Sequence, residues 1–137
     1  MKTLKALGMA IATLTAAQAG GAYAEQTLNI GFTGPLSGGA ALYGENTLSG
    51  LRMAVDDANK AGGLKIGDET YKVNLISLDD KYSPSQAATN AKRLVKESKA
   101  AAVFVPHTGG VFALQDFNVG DDFLIMAYTS VPSVTEQ

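Results

Sequence analysis

The chain has no cysteine and one histidine among its 137 residues. The first absence excludes disulfides, thiolate metal sites and cysteine nucleophiles. The second argues against a histidine-rich metal site. No G-x-x-x-x-G-K-S/T phosphate loop occurs, and no dinucleotide fingerprint, G-x-S-x-G elbow or S-x-x-K motif. Positive charge is also scarce, with 11 Lys and Arg against 13 Asp and Glu. No basic patch points to nucleic acid, and no basic amphipathic helix to a lipid surface. Internal repeats and low-complexity stretches are absent. What remains, 46% hydrophobic and 18% charged with 15 glycines, is the composition of one soluble globular domain.

The first 24 residues read as a leader rather than as part of that domain. Lys2 and Lys5 form a basic n-region, Ala6–Ala17 is an uncharged apolar h-region, and Ala22-Tyr23-Ala24 is an A-x-A cleavage signal before Glu25. That is the pattern of a secretory signal peptide. A membrane anchor is disfavoured, because the apolar segment is shorter than the roughly 20 residues that cross a bilayer. Cleavage would remove Lys2 and Lys5, taking Lys and Arg from 11 to 9 against 13 acids and leaving a mildly acidic mature chain.

Beyond the leader, apolar runs alternate with helical patterns. Leu28–Thr33 is nearly continuously apolar, as a strand covered on both faces should be. Gly34-Pro35-Leu36-Ser37-Gly38-Gly39 follows, with Tyr43-Gly44 at the end of that loop. Leu48, Leu51, Val55 and Ala58 then form one stripe of a helix from about Asn46 to Ala61, ended by Gly62-Gly63 as a left-handed cap. Leu64–Tyr71 reads as a small hairpin with a Gly-Asp turn, feeding a strand over Lys72–Leu78 that ends at Asp79-Asp80. Ser83 as N-cap, Pro84 at N1 and Gln86 completing a capping box announce the next helix. Its basic end, Lys92, Arg93, Lys96 and Lys99, suits the helix dipole. Ala101–Val105 is a third strand, Pro106–Gly110 a second strand-end loop, Val111 to about Val119 a short helix closed by Asp121-Asp122, and Phe123–Ala127 a fourth strand. Strands joined by helical crossovers are parallel with right-handed connections. The predicted class is α/β, a doubly wound, mostly parallel sheet in the flavodoxin-like order 2-1-3-4, with its switch point between strands one and three. Gly34–Gly39 and Thr108–Gly110 would then face one crevice. No second domain is visible.

Each candidate residue has two readings. The Gly34–Gly39 loop is a ligand cradle or a packing turn. Thr108-Gly109-Gly110 opens a helix and so favours an anion such as a carboxylate, or is simply an N-cap by Thr108 with permissive glycines. Asp79-Asp80 could bind a divalent cation, but capping of the Ser83-Pro84 turn is the cheaper account. His107 would need a nucleophile and an orienting acid to be a catalytic base; a loop or rim role is preferred. Tyr43 is a half-buried core residue or a wall of the crevice.

The spacing of Ile30-Gly31-Phe32-Thr33-Gly34-Pro35-Leu36-Ser37-Gly38, Tyr43-Gly44, Ala61-Gly62-Gly63, Asp79-Asp80, Pro84-Ser85-Gln86-Ala87 and Tyr128-Thr129-Ser130-Val131-Pro132-Ser133-Val134-Thr135 resembles the substrate-binding proteins of ABC importers for branched-chain amino acids. The resemblance covers essentially the whole mature chain, and only the front part of that family's first lobe. It implies the type I periplasmic binding-protein fold, two lobes that close on a small amino acid without catalysis, no cofactor, a periplasmic monomer, and delivery of the ligand to an ABC permease in the membrane. By resemblance, residues 25–137 form a partial N-terminal lobe. The ligand carboxylate falls to Thr108, Gly109 and Gly110, the ammonium to the Tyr128 carbonyl and the Ser130 hydroxyl, and the ligand side chain to Tyr43. Where the family often has a serine this chain has Gly109, which leaves only backbone donors there. The family's acidic partner for the ammonium lies in a second lobe, so the chain is expected to be the front of a longer protein, to bind weakly alone and to leave a sheet edge unpaired. A ligand sensor for a membrane receptor and a secreted α/β hydrolase are the alternatives.

Overall fold

The computed structural model describes residues 26–135, so the leader expected over residues 1–24 lies outside the described residues. Five strands form one sheet in the order β2-β3-β1-β4-β5. They are β1 (Gln26–Gly34), β2 (Leu64–Ile66), β3 (Glu69–Asp79), β4 (Ala102–Val105) and β5 (Leu124–Ala127). All pairs are parallel except the β2–β3 hairpin. Removing that hairpin strand leaves the order expected from the sequence, second–first–third–fourth. The turn of the hairpin is Gly67-Asp68, and β3 runs through it as one 11-residue strand instead of starting at Lys72.

Three helices fill the crossovers: α1 (Ala41–Lys60), α2 (Pro84–Lys96) and α3 (Thr108–Gln115). Strand alternation decides what each covers. Val103 and Val105 point to the face under α2 and α3, where they join Ala87, Ala91, Leu94, Val111, Leu114 and Phe123 in the main core. Phe32 points the other way and stacks on Phe104 at 6.1 Å between ring centroids. On that face α1 lies over β3, with Leu48 its buried anchor. Beyond α1, Leu51 and Ala54 border an open trough of about 570 Å³ that also exposes Phe104 and Tyr128. β5 carries no partner on its outer edge among the described residues.

The helix boundaries correct the sequence reading in three places. α1 starts at Ala41, after a 3-10 turn over Gly38–Ala40, rather than at Asn46. Tyr43-Gly44 therefore belongs to its first turn and not to the loop. α3 starts at Thr108 rather than Val111, and residues after Gln115 are turns. In α2 the Ser83 hydroxyl accepts from the Gln86 N–H at 3.4 Å, but the capping box is not reciprocal. The Ser83 N–H donates to the Asp80 carbonyl instead, at 2.9 Å. The expected glycine cap does form: Gly62 and Gly63 both have φ of 108°. Their N–H groups return to Asn59 and Ala58 at 3.1 and 2.9 Å, a Schellman closure.

Candidate functional site

β1 has β3 on one side and β4 on the other, so the chain's direction of winding reverses there. In an open α/β sheet that is where a crevice opens beyond the strand ends. A cleft of about 170 Å³ lies at that place. Tyr43, Thr108, Tyr128 and Ser130, which come from three separate stretches, share its lining. Larger hollows exist, including one of about 380 Å³ between α3, β5 and the 132–135 turn, which shares Thr129 and Ser130 with the cleft but is not lined by Tyr43 or Thr108.

The Gly34–Gly39 loop does not line this cleft. Asp79, at the end of β3, clamps it. One carboxylate oxygen accepts from the Leu36 N–H and the Lys81 N–H at 2.9 Å each, and the other accepts from the Ser37 hydroxyl at 2.5 Å. Burial by itself would raise the Asp79 carboxyl, but these three donors and the nearby Lys81 charge outweigh it and hold the group below its ordinary value of 3.8. A depressed carboxylate stabilises the fold above its unfolded-state pKa and loses that contribution as pH falls through the folded value. Thermal unfolding of the wild type and Asp79→Asn is therefore expected to differ at neutral pH and to converge below pH 3.8. A gap that persists at low pH would sink the clamp.

The side facing α1 is supplied by Tyr43. Its hydroxyl donates to the Pro106 carbonyl at 2.5 Å, which ties the first turn of α1 to the loop after β4. Burial raises the Tyr43 phenol, and Tyr128 and Tyr82 push the same way, as three phenols around one cleft should.

The other wall is the start of α3. Its N-cap is His107 and not Thr108: the Gly110 N–H donates to His107 Nδ1 at 3.0 Å. The Thr108 hydroxyl pairs with the Thr129 hydroxyl at 2.6 Å, joining α3 to the loop after β5. His107 is buried rather than at the rim, with Nε2 2.9 Å from Asp80. Asp79 and Asp80 thus diverge to separate partners, and among the described residues no three acidic or histidine groups gather as metal ligands would.

Gly109 and Gly110 are absent from the cleft lining. A Cβ on Gly109 would stand 2.8 Å from Pro84 Cγ, at the start of α2. The missing side chain at 109 thus has a packing cause. Gly109→Ser is expected to cost roughly 1–3 kcal/mol in urea denaturation, because the proline ring cannot swing aside as a flexible side chain would. An unchanged midpoint would show that α2 yields freely.

Sequence reasoning missed Tyr82, which stacks on His107 at 4.8 Å and lines the cleft, and Thr129. Tyr82 follows β3 through two left-handed residues, Lys81 and Tyr82, with φ of 54° and 64°. No periodicity marks such a turn. Thr129 lay between two singled-out residues, 128 and 130, and the alternation of a strand end was the one available signal.

Comparison with known proteins agrees with the fold. A family model described as periplasmic binding protein matches residues 27–136. An "Amino acid binding protein" of Pseudomonas aeruginosa is 38% identical over 79% of this chain and 28% of its own length. The Leu/Ile/Val-binding protein BraC3 of Rhizobium johnstonii is 32% identical over 98% of this chain and 35% of its own. Among solved structures, the branched-chain amino acid transporter substrate-binding protein LivJ of Streptococcus pneumoniae, in complex with isoleucine, superposes with a TM-score of 0.72 at 28% identity. It covers 81% of this chain and 31% of that one. The chain spans about a third of the length of these relatives.

Proposed function

The chain belongs to the periplasmic binding-protein family, and from that premise we propose that it takes a branched-chain or related amino acid into the cleft beyond β1, β4 and β5 as the solute-binding component of an ABC importer. The observation that carries the reading is the convergence of Tyr43, Thr108, Tyr128 and Ser130 on one cleft at the switch point. Family members are binding proteins, not enzymes. The hydrolase alternative also lacks a base, since both ring nitrogens of His107 are engaged, one by Gly110 and one by Asp80.

The proposed roles follow from the local chemistry. An α-helix leaves its first N–H groups without intrahelical acceptors, and its positive dipole end favours an anion. His107 takes up the N–H of Gly110, and that of Thr108, which lines the cleft, is the donor proposed for the ligand carboxylate. Gly110 contributes by fixing that turn. The Tyr128 carbonyl and the Ser130 hydroxyl are proposed for the ammonium. Tyr43, with its hydroxyl tied to Pro106, offers its ring as a preset wall for the ligand side chain. A monomer, exported by the leader over residues 1–24, would act in the periplasm and pass its ligand to a membrane permease, with residues 25–137 as part of a first lobe.

This surface alone should bind weakly. A few charge-assisted hydrogen bonds of about 1.5–3 kcal/mol each are opposed by association costs of roughly 4 kcal/mol or more. The balance corresponds to about millimolar affinity. A titration of the ¹⁵N-labelled chain with L-leucine is expected to shift the amides of Thr108–Gly110 and Tyr128–Ser130 in the millimolar range. Shifts confined to other regions, or micromolar calorimetric binding, would overturn the proposed site or its energetics respectively.

A further inference from the structure

Asp80 is fully buried and belongs to no proposed ligand contact. Its backbone N–H donates to the Gly34 carbonyl at 3.0 Å, which fixes it against β1. Its carboxylate accepts from the Tyr82 N–H at 2.8 Å on one oxygen. The other oxygen accepts from the Thr33 hydroxyl at 3.1 Å and lies 2.9 Å from His107 Nε2. Asn90 on α2 donates to the Thr33 hydroxyl at 3.2 Å, so that hydroxyl's accepting role is filled and its proton is directed at Asp80.

The two nitrogens of His107 face opposite demands. Nδ1 lies opposite an N–H, that of Gly110, and must present a lone pair. Nε2 lies opposite a carboxylate oxygen and must present a proton. One neutral tautomer, Nε2–H, satisfies both. Histidine in water samples both tautomers, and the partners here accommodate one.

We infer that Asp80 is a positioning residue. It locks His107 as the Nε2–H tautomer, which keeps Nδ1 available to the Gly110 N–H and holds the first turn of α3 where Thr108 meets the ligand. The ligand part of this inference rests on the reading of the cleft given above; the lock itself does not. Asp80→Asn replaces one acceptor oxygen by an amide donor. Turned toward Tyr82, that donor would oppose a backbone N–H. Turned toward His107, it opposes the Nε2–H, and the imidazole relieves the conflict by moving its proton to Nδ1. Either the pair is disrupted or the tautomer flips, and the flip ejects the Gly110 N–H.

The chain's single histidine makes the test direct. The ¹⁵N shifts of the labelled imidazole distinguish the two tautomers, and hydrogen exchange reads the Gly110 amide. The wild type is expected to show Nε2–H with Gly110 protected. Asp80→Asn should move the population toward Nδ1–H and speed Gly110 exchange about tenfold, the factor that loss of one hydrogen bond gives. If Asp80→Asn does not fold, two histidine variants decide. Asn at 107 retains an acceptor at the Nδ1 position and is a favoured N-cap, whereas Gln does not place its oxygen there. His107→Gln should expose Gly110 about tenfold more than His107→Asn. A wild type rich in Nδ1–H, a folded Asp80→Asn in which the tautomer and the exchange of both the Gly110 and Tyr82 amides are unchanged, or equal Gly110 exchange in the two histidine variants would each overturn the lock. In the same samples L-leucine should titrate His107→Asn more tightly than His107→Gln. A wild type with the expected tautomer that ignores leucine sinks the ligand reading and leaves the lock standing.

Discussion

Gly44→Ala and Gly50→Ala, two identical changes in one helix, should move stability in opposite directions. On propensity alone each would stabilise α1, since alanine is favoured over glycine in a helix by about 0.8–1 kcal/mol. Gly50 obeys that rule: it is exposed and a Cβ there meets nothing within 4 Å. At Gly44 the new Cβ would stand 1.8 Å from the Pro35 carbonyl oxygen and 2.7 Å from its carbon. The obstacle is backbone at the end of β1, which cannot rotate away. The first turn of α1 must lift, and with it Tyr43, whose hydroxyl holds the Pro106 carbonyl. Overpacking of this kind costs roughly 1–3 kcal/mol and sometimes more, and here it also breaks that tie. Gly44→Ala is expected to lose about 3 kcal/mol in urea denaturation, and Gly50→Ala to gain up to about 1 kcal/mol. If both variants were stabilised, the close contact between α1 and Pro35 would be refuted.

Asp80→Ala should be more damaging still. The carboxylate has no exposed surface and receives protons from Thr33, Tyr82 and His107. Truncation leaves the buried Thr33 hydroxyl and His107 Nε2–H, and the part-buried Tyr82 N–H, without an acceptor. Each unsatisfied buried group costs about 1–3 kcal/mol. Set against total stabilities of about 5–15 kcal/mol, that loss should leave a large unfolded fraction at 37 °C. Circular dichroism melting is the measurement, with Asp79→Ala as the comparison, because Asp79 is only partly buried and its donors can turn to water. Equal losses at 79 and 80 would mean that burial is not what makes Asp80 costly to remove.

These two sites mark the limit of what a pattern in the chain can reveal. The strand order was legible, because apolar runs of strand length alternated with helical stripes and parallel crossovers permit few arrangements. The Ser83 cap was legible from its neighbours Pro84 and Gln86. The start of α1 was not, because a glycine after a tyrosine reads as loop unless it is known what the helix lies against. The same holds for α3. Thr108 is the better cap on statistics, but tertiary structure brings the Thr129 hydroxyl to it and leaves the cap to His107. The candidate residues were reached partly through family resemblance. Their convergence from three separate stretches is a property of the sheet, since Tyr43, Thr108 and Tyr128 are far apart in sequence and share no local signal.

What the sequence determined by itself was the class, an α/β sheet in the order β3-β1-β4-β5 with a small hairpin feeding β3, and a resemblance to a family of binding proteins. The class follows from period, turn residues and capping signals, which are local and survive without knowledge of neighbours; the family rests on the resemblance of motifs in their order and spacing. What only the tertiary structure decided was the division of labour at the strand ends. Two adjacent aspartates look alike in the chain. Successive positions at a strand end point apart, so Asp79 meets the Leu36–Ser37 backbone and hydroxyl while Asp80 meets a buried histidine. Their chemistry differs because burial and partners, which no residue carries in its own identity, set what a carboxylate does.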